Sequence, residues 1–121
     1  MTMPKPCEGN PFDLSNEDEQ YRDLIGRLWG AFCSGVDGYG VDEKVVAKAE
    51  AMFKATSHAN YKNGTFGNAG VEEAARRCCV ATGRIARALA EMHENDAIQE
   101  GDFRRAAEFI QGMTHGLGAV C

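Results

Sequence analysis

A chain of 121 residues is long enough to bury a core of its own without metal or cross-links to staple it, and it is about one domain. Hydrophobic residues at 44% and charged ones at 26% are globular proportions, which exclude wholesale disorder. Thirteen basic against eighteen acidic residues leave a net charge of −5, which argues against nucleic acid or an anionic membrane surface and leaves another protein as the expected partner.

Residues 1–13 hold all three prolines and no periodicity, so they read as an extended N-terminal arm, with residues 14–121 as a single helical domain. No apolar run reaches membrane-spanning length, and MTMPKPCEGNPFD lacks an apolar signal core, so a cytoplasmic location is expected. The cysteines at 7, 33, 78, 79 and 121 are odd in number and irregular in spacing. Without a secretory signal they read as free thiols, with terminal Cys121 offering a route to a homo-oligomer on oxidation.

Helix one is expected to begin at Ser15 or Asn16, either of which can cap, with Glu17, Asp18 and Glu19 complementing the dipole of its first turn. Its inward stripe is Tyr21, Leu24, Ile25, Leu28, Trp29, Phe32 and Cys33, and Gly35 is expected to end it. The following Asp37-Gly38-Tyr39-Gly40-Val41-Asp42 is a loop; aligned on a calcium-loop glycine it puts Cys33, Gly35 and Lys44 where oxygen ligands belong. Helix two runs from about Asp42 to Thr56, with Val45, Val46, Ala49, Met52 and Phe53 inward. Asn63-Gly64 is a strong hairpin signal, which would set Tyr61 opposite Phe66 across a small ribbon.

The stretch from Val71 to Glu94 organises the rest, with Val71, Ala75, Cys78, Thr82, Ile85, Leu89 and Met92 at alternating steps of about four and three residues. Helix four spans Asp102 to about His115, with Phe103, Ala106, Ile110, Met113 and Leu117 on one face. Gly112 and Gly116, four apart, suggest a close crossing of another backbone. The expected fold is all-α, a compact four-helix bundle with a small β-hairpin between helices two and three.

Arg76, Arg77, Arg84 and Arg87 form a basic set on helix three. Yet Glu72–Arg76, Glu73–Arg77 and Arg87–Glu91 stand at i,i+4, as do Asp18–Arg22, Asp23–Arg27 and Arg104–Glu108, which marks solvated, self-paired helix faces. A carboxylate-bridged metal pair needs Glu three residues before His on two helices, whereas Ala55, Ala90 and Gly112 precede His58, His93 and His115, so neither a metal nor another cofactor is expected; a metal-binding bundle using Glu91, His93, Glu94 and Asp96 near the end of helix three is an alternative. Adjacent Cys78 and Cys79 point about 100° apart on a helix and cannot join each other. Cys78 falls on the apolar stripe and Cys79 borders it, so both read as buried and inert, with a redox or modification sensor as the functional alternative.

His58, Lys62, Gly64 and Gly67, followed by a long helix, are faintly similar to the phosphoacceptor stretch of histidine phosphotransfer domains, four-helix bundles of about this length. In that family the Lys and Gly follow the His by three and four residues; here they follow by four and six. The resemblance implies His58 as phosphoacceptor, exposed on a helix with Lys62 one turn away. By elimination, the main functional expectation is a non-enzymatic protein that works through protein contacts as an adaptor, inhibitor or assembly subunit, roles that small acidic helical proteins of bacteria and phages often fill. Its candidate anchors are Tyr39, Tyr61 and Phe66 in loops.

Overall fold

The computed structural model describes residues 5–7, 9–62 and 69–113, with the side chains of 5, 6, 59–62, 69, 71 and 111–113 outside that description. The described residues form four helices, α1 (Glu19–Val36), α2 (Glu43–Lys62), α3 (Ala69–Met92) and α4 (Glu100–Met113), and three two-residue strands, β1 (Lys5–Pro6), β2 (Gly40–Val41) and β3 (Ala97–Ile98). The expected all-α four-helix fold is therefore present. Three helix boundaries move, the start of α1, the end of α2 and the start of α4. The chain turns at Ser15–Glu17 and α1 starts only after Asp18, which caps without a side-chain hydrogen bond. The expected hairpin is excluded on its first side, because Tyr61 and Lys62 continue α2 instead of forming a strand; Phe66 lies outside the described residues.

The helices form two hairpins laid side by side. In the first, Tyr21 meets His58 and Phe32 meets Phe53, so α2 returns antiparallel to α1. Between hairpins, Arg27 pairs with Glu72, Gly35 abuts Val80 and Arg84, and Arg87 reaches Val36 and Asp37. These contacts ascend together along both helices, so α1 and α3 run parallel and bring both hairpin loops to one end. There β2 pairs in parallel with β3, Gly40 opposite Ala97 and Val41 opposite Ile98. The loops repeat one design: each helix hands over through a left-handed residue, Asp37 (φ 54) and Glu94 (φ 59), three positions before its strand. Asp42 N–H also donates to the Ile98 carbonyl (3.0 Å), knitting one loop to the other. α4 is capped by Asp102, whose buried carboxylate accepts the Gln99 N–H (3.1 Å) and meets His93 Nδ1 (3.1 Å). That is the N3-to-N-cap half of a capping box, while the Gln99 side chain donates instead to the Ala97 carbonyl, and α4 starts two residues earlier than the apolar pattern implies.

The core divides its labour by size. α1 contributes the large side chains of Leu24, Ile25, Leu28, Trp29 and Phe32. α3 contributes small ones: Ala75, Cys79, Thr82, Gly83, Ala86 and Ala90 are its buried positions, while Met92 is 68% exposed. Ala75 and Thr82 are buried as expected, whereas Cys78, Ile85 and Leu89 are half-buried and Met92 exposed, which corrects the rest of the expected α3 face. The helix is turned so that its smallest residues, not its largest, meet α1. Gly35 is the reason: it sits inside the last turn of α1, where an added Cβ would lie 2.1 Å from the Val80 carbonyl oxygen. From the other side, a Cβ on Gly83 would lie 2.4 Å from the Phe32 carbonyl oxygen. The two backbones touch there, which only glycine permits. Buried Thr82 satisfies its hydroxyl by donating to the Cys78 carbonyl one turn back (2.7 Å).

The arm belongs to the core as well. β1 pairs antiparallel with β2, and Cys7, Phe12 and Leu14 are buried. Cys7 is joined to Cys33 of α1 in a disulfide with Cα atoms 5.2 Å apart, so the reading of all five cysteines as free thiols is wrong for this pair. Chain folding brings together two cysteines that lie 26 positions apart. Asp13 accepts from both the hydroxyl and the N–H of Ser15, bonds that hold its carboxyl below the ordinary carboxylate pKa.

Candidate functional site

Along α1, Arg27, Gly30, Ala31 and Ser34 fall at i, i+3, i+4 and i+7, one face of the helix. Along α3, Glu73, Arg76, Arg77, Val80, Ala81 and Arg84 do the same. The two faces enclose an open groove of about 580 Å³. Its floor is made of small residues, and Gly30 leaves its place beside α3 empty, with no atom within 4 Å of an added Cβ. Its rim is arginine.

The charges do not cancel. Arg27 forks onto Glu72, with Nε 3.2 Å and Nη2 2.7 Å from the two carboxylate oxygens. Arg76 (3.5 Å) and Arg77 (3.4 Å) share the single carboxylate of Glu73. Arg84 is exposed and has no carboxylate within ion-pair distance among the described residues. Four guanidinium groups thus face two carboxylates, a local surplus of two positive charges on a chain whose total is −5. The Glu73 contacts are long and exposed, so an incoming anion can take over their donors at little cost. Guanidinium forks match carboxylate geometry two bonds at a time, which suits a row of acidic side chains.

Glu73–Arg77 and Arg87–Glu91 pair as in the i,i+4 scheme, but Glu72 crosses to Arg27 on α1, Arg76 is left to share Glu73, and among the described residues Asp18–Arg22, Asp23–Arg27 and Arg104–Glu108 are not at ion-pair distance. Arg87 is not part of the groove. Its Nη1 donates to the carbonyls of Val36 and Asp37 at the end of α1, and its guanidinium lies 5.6 Å from the Tyr39 ring centroid. The hydrogen bond to Glu91, aided by the charge of Asp37, holds its pKa above the ordinary arginine value.

The other candidate residues are scattered. Tyr39 is half-buried at the loop end, and its hydroxyl donates to the Asn95 carbonyl, so the fold itself uses it. Tyr39→Phe should cost about 1 kcal/mol, the usual net worth of one hydrogen bond, read as a drop in urea midpoint at unchanged slope. The side chain of Tyr61 and all of Phe66 lie outside the described residues. His58 is exposed on α2, and that helix does continue through Lys62. Its Nε2, however, is engaged by Glu17 at 2.9 Å, and its ring packs on Tyr21, 4.7 Å between centroids. Cys78 and Cys79 are in no disulfide, but exchange places relative to expectation: Cys79 is buried and Cys78 half-buried, because α3 turns its Cys79 face to the core. Among the described residues no three His, Cys, Asp or Glu side chains come together as a metal site would need. Cys121 lies outside the described residues.

No family model, no curated protein and no solved structure matches this chain. No helix among the described residues is long and apolar enough to cross a membrane.

Proposed function

We propose that the chain is a non-enzymatic contact module that captures an acidic stretch of a partner protein in the groove between α1 and α3. The observation that carries this reading is the unbalanced arginine rim: Arg84 without a carboxylate, Arg76 and Arg77 sharing one, above a floor of small side chains. A short acidic segment fits better than a nucleic acid, because the overall charge of −5 repels a long polyanion while the local surplus attracts a few carboxylates. Such a module serves as an adaptor, an inhibitor or a subunit of an assembly, depending on what carries the acidic stretch.

The test is fluorescence anisotropy with a labelled decapeptide of alternating Glu and Asp. Binding to the wild-type chain should weaken with added salt. The Arg76→Glu/Arg84→Glu double variant should lose about tenfold or more, the equivalent of at least one charge-assisted hydrogen bond. Arg104→Glu/Arg105→Glu on the exposed face of α4 changes the net charge identically and should keep most of the binding. Equal losses in the two variants, or no binding to the wild type, would reject the groove as the site.

A further inference from the structure

A second surface, on a different face of α1, is occupied by the chain itself. Phe12 fills the seam between α1 and α2, its ring 5.1 Å from that of Trp29 and 6.4 Å from that of Phe53, both edge-on. Leu14 is buried alongside it. Very little regular structure holds this segment. β1 contributes two residues of pairing, and Glu17 meets His58 at the far end through an ion pair in which His58 is 52% exposed. The covalent tie is Cys7–Cys33.

The arm fills the seam by shape but not by hydrogen bonding. Trp29 Nε1 and Ser57 Oγ are buried with no hydrogen-bond partner among the described residues, and Ser57 stands one turn beyond Phe53 and next to His58. Buried polar atoms in a finished core are paired almost without exception. Two orphans on the two helices that form the seam mark the arm as an imperfect occupant.

We propose that the Cys7–Cys33 disulfide is a redox latch, which keeps Phe12-Asp13-Leu14 plugged into the α1–α2 seam when oxidised and lets that segment leave when reduced. The reductant is a dithiol. Its thiolate attacks the sulfur of Cys33, the half-buried member of the pair, so the Cys7–Cys33 bond breaks and Cys7 departs as a thiolate that takes up a proton. The second thiol of the reductant then attacks the mixed disulfide, releasing Cys33 and closing the reductant into its own disulfide. Two electrons and two protons pass to the protein sulfurs. With the tie cut, a two-residue strand is too short to hold the arm. The seam would then stay closed in an oxidising compartment and open in a reducing one. This inference stands apart from the arginine groove, and either can fail without the other.

The chain contains one tryptophan, and it is the one beneath Phe12. Full-length oxidised protein should show blue-shifted emission and poor quenching by acrylamide, since Trp29 is only 2% exposed. Reduction with dithiothreitol, verified by the appearance of two further titratable thiols, should shift the emission to the red and raise quenching several-fold while the far-ultraviolet helical signal holds. The Cys7→Ser/Cys33→Ser variant should show the red-shifted state without reductant and ignore dithiothreitol. Unchanged emission and quenching after verified reduction would overturn the latch, because the arm would then stay seated unaided. Loss of the helical signal together with the red shift would overturn it too, making the bridge a staple of the whole fold.

Discussion

Gly83→Ala should lower the stability of the chain by about 3 kcal/mol, the upper end of overpacking costs. The added methyl has nowhere to go: its nearest neighbours are backbone, the Phe32 carbonyl oxygen at 2.4 Å and the Val36 nitrogen at 3.0 Å, so no rotamer change relieves it. Gly35→Ala should behave alike, with the Val80 carbonyl oxygen at 2.1 Å. Each substitution forgoes the helix-propensity gain of about 1 kcal/mol that alanine ordinarily brings over glycine. Gly26→Ala on the same helix has open space around it and should realise that gain. Urea midpoints of the three variants decide the matter: a Gly83→Ala protein as stable as the wild type would mean that α1 and α3 do not touch there. Because this crossing sets the spacing of the two groove walls, the glycine variants should also bind the acidic peptide more weakly.

Phe32→Ala should be the most damaging single truncation in the core, at about 3–5 kcal/mol. Phe32 is fully buried on α1 and touches an aromatic ring on each of two other helices, Phe53 of α2 at 6.5 Å and Phe103 of α4 at 5.5 Å, both edge-on, with Trp29 5.5 Å away on its own helix. Removing the ring leaves a cavity bordered by three elements, and none can close it alone while the Gly35–Gly83 crossing fixes α1 against α3. A domain of this kind holds about 5–15 kcal/mol in all, so the variant should be marginal at physiological temperature. Calorimetry should show a large fall in Tm. Phe109→Ala, where the ring is 56% exposed, should stay within about 0.5 kcal/mol of wild type. If the two truncations cost the same, the aromatic centre of the fold has been misassigned.

What could be read from the sequence depended on the size of the residues involved. The α1 stripe was legible because Leu24, Ile25, Leu28, Trp29 and Phe32 combine helical spacing with bulk, and all five are buried. The α3 face was legible only at Ala75 and Thr82, because hydrophobic periodicity also favours Ile85, Leu89 and Met92, whereas close packing buries Cys79, Gly83, Ala86 and Ala90. A stripe of small residues at four- and three-residue steps is the signal available; of the Gly112 and Gly116 pair, Gly116 lies outside the described residues. The hairpin expected around Asn63-Gly64 fails at Tyr61 and Lys62, which continue α2; residues 63–68 lie outside the described residues.

The groove was hidden by a rule that holds within one helix. Glu72 has Arg76 four residues on, so intrahelical pairing neutralises both; only when α1 is known to lie parallel to α3 does Arg27 become the partner of Glu72 and leave Arg76 to share Glu73, beside an Arg84 with no acidic residue three or four positions away on its own helix. The disulfide was hidden similarly, since Cys7 and Cys33 meet only after the arm folds back to pair β1 with β2. In both cases the missing information was tertiary, and the local signals were satisfied by a different arrangement.

The central functional claim is that acidic polypeptide binds between α1 and α3, and backbone amide NMR tests it residue by residue. The ¹⁵N-labelled chain would be titrated with the unlabelled Glu/Asp decapeptide at low salt. The account predicts shifts confined to residues 27–34 and 73–84, largest near Arg84, and abolished by Arg76→Glu/Arg84→Glu. Shifts centred on the Tyr39 loop or on α4, or an unperturbed spectrum at saturating peptide, would contradict it.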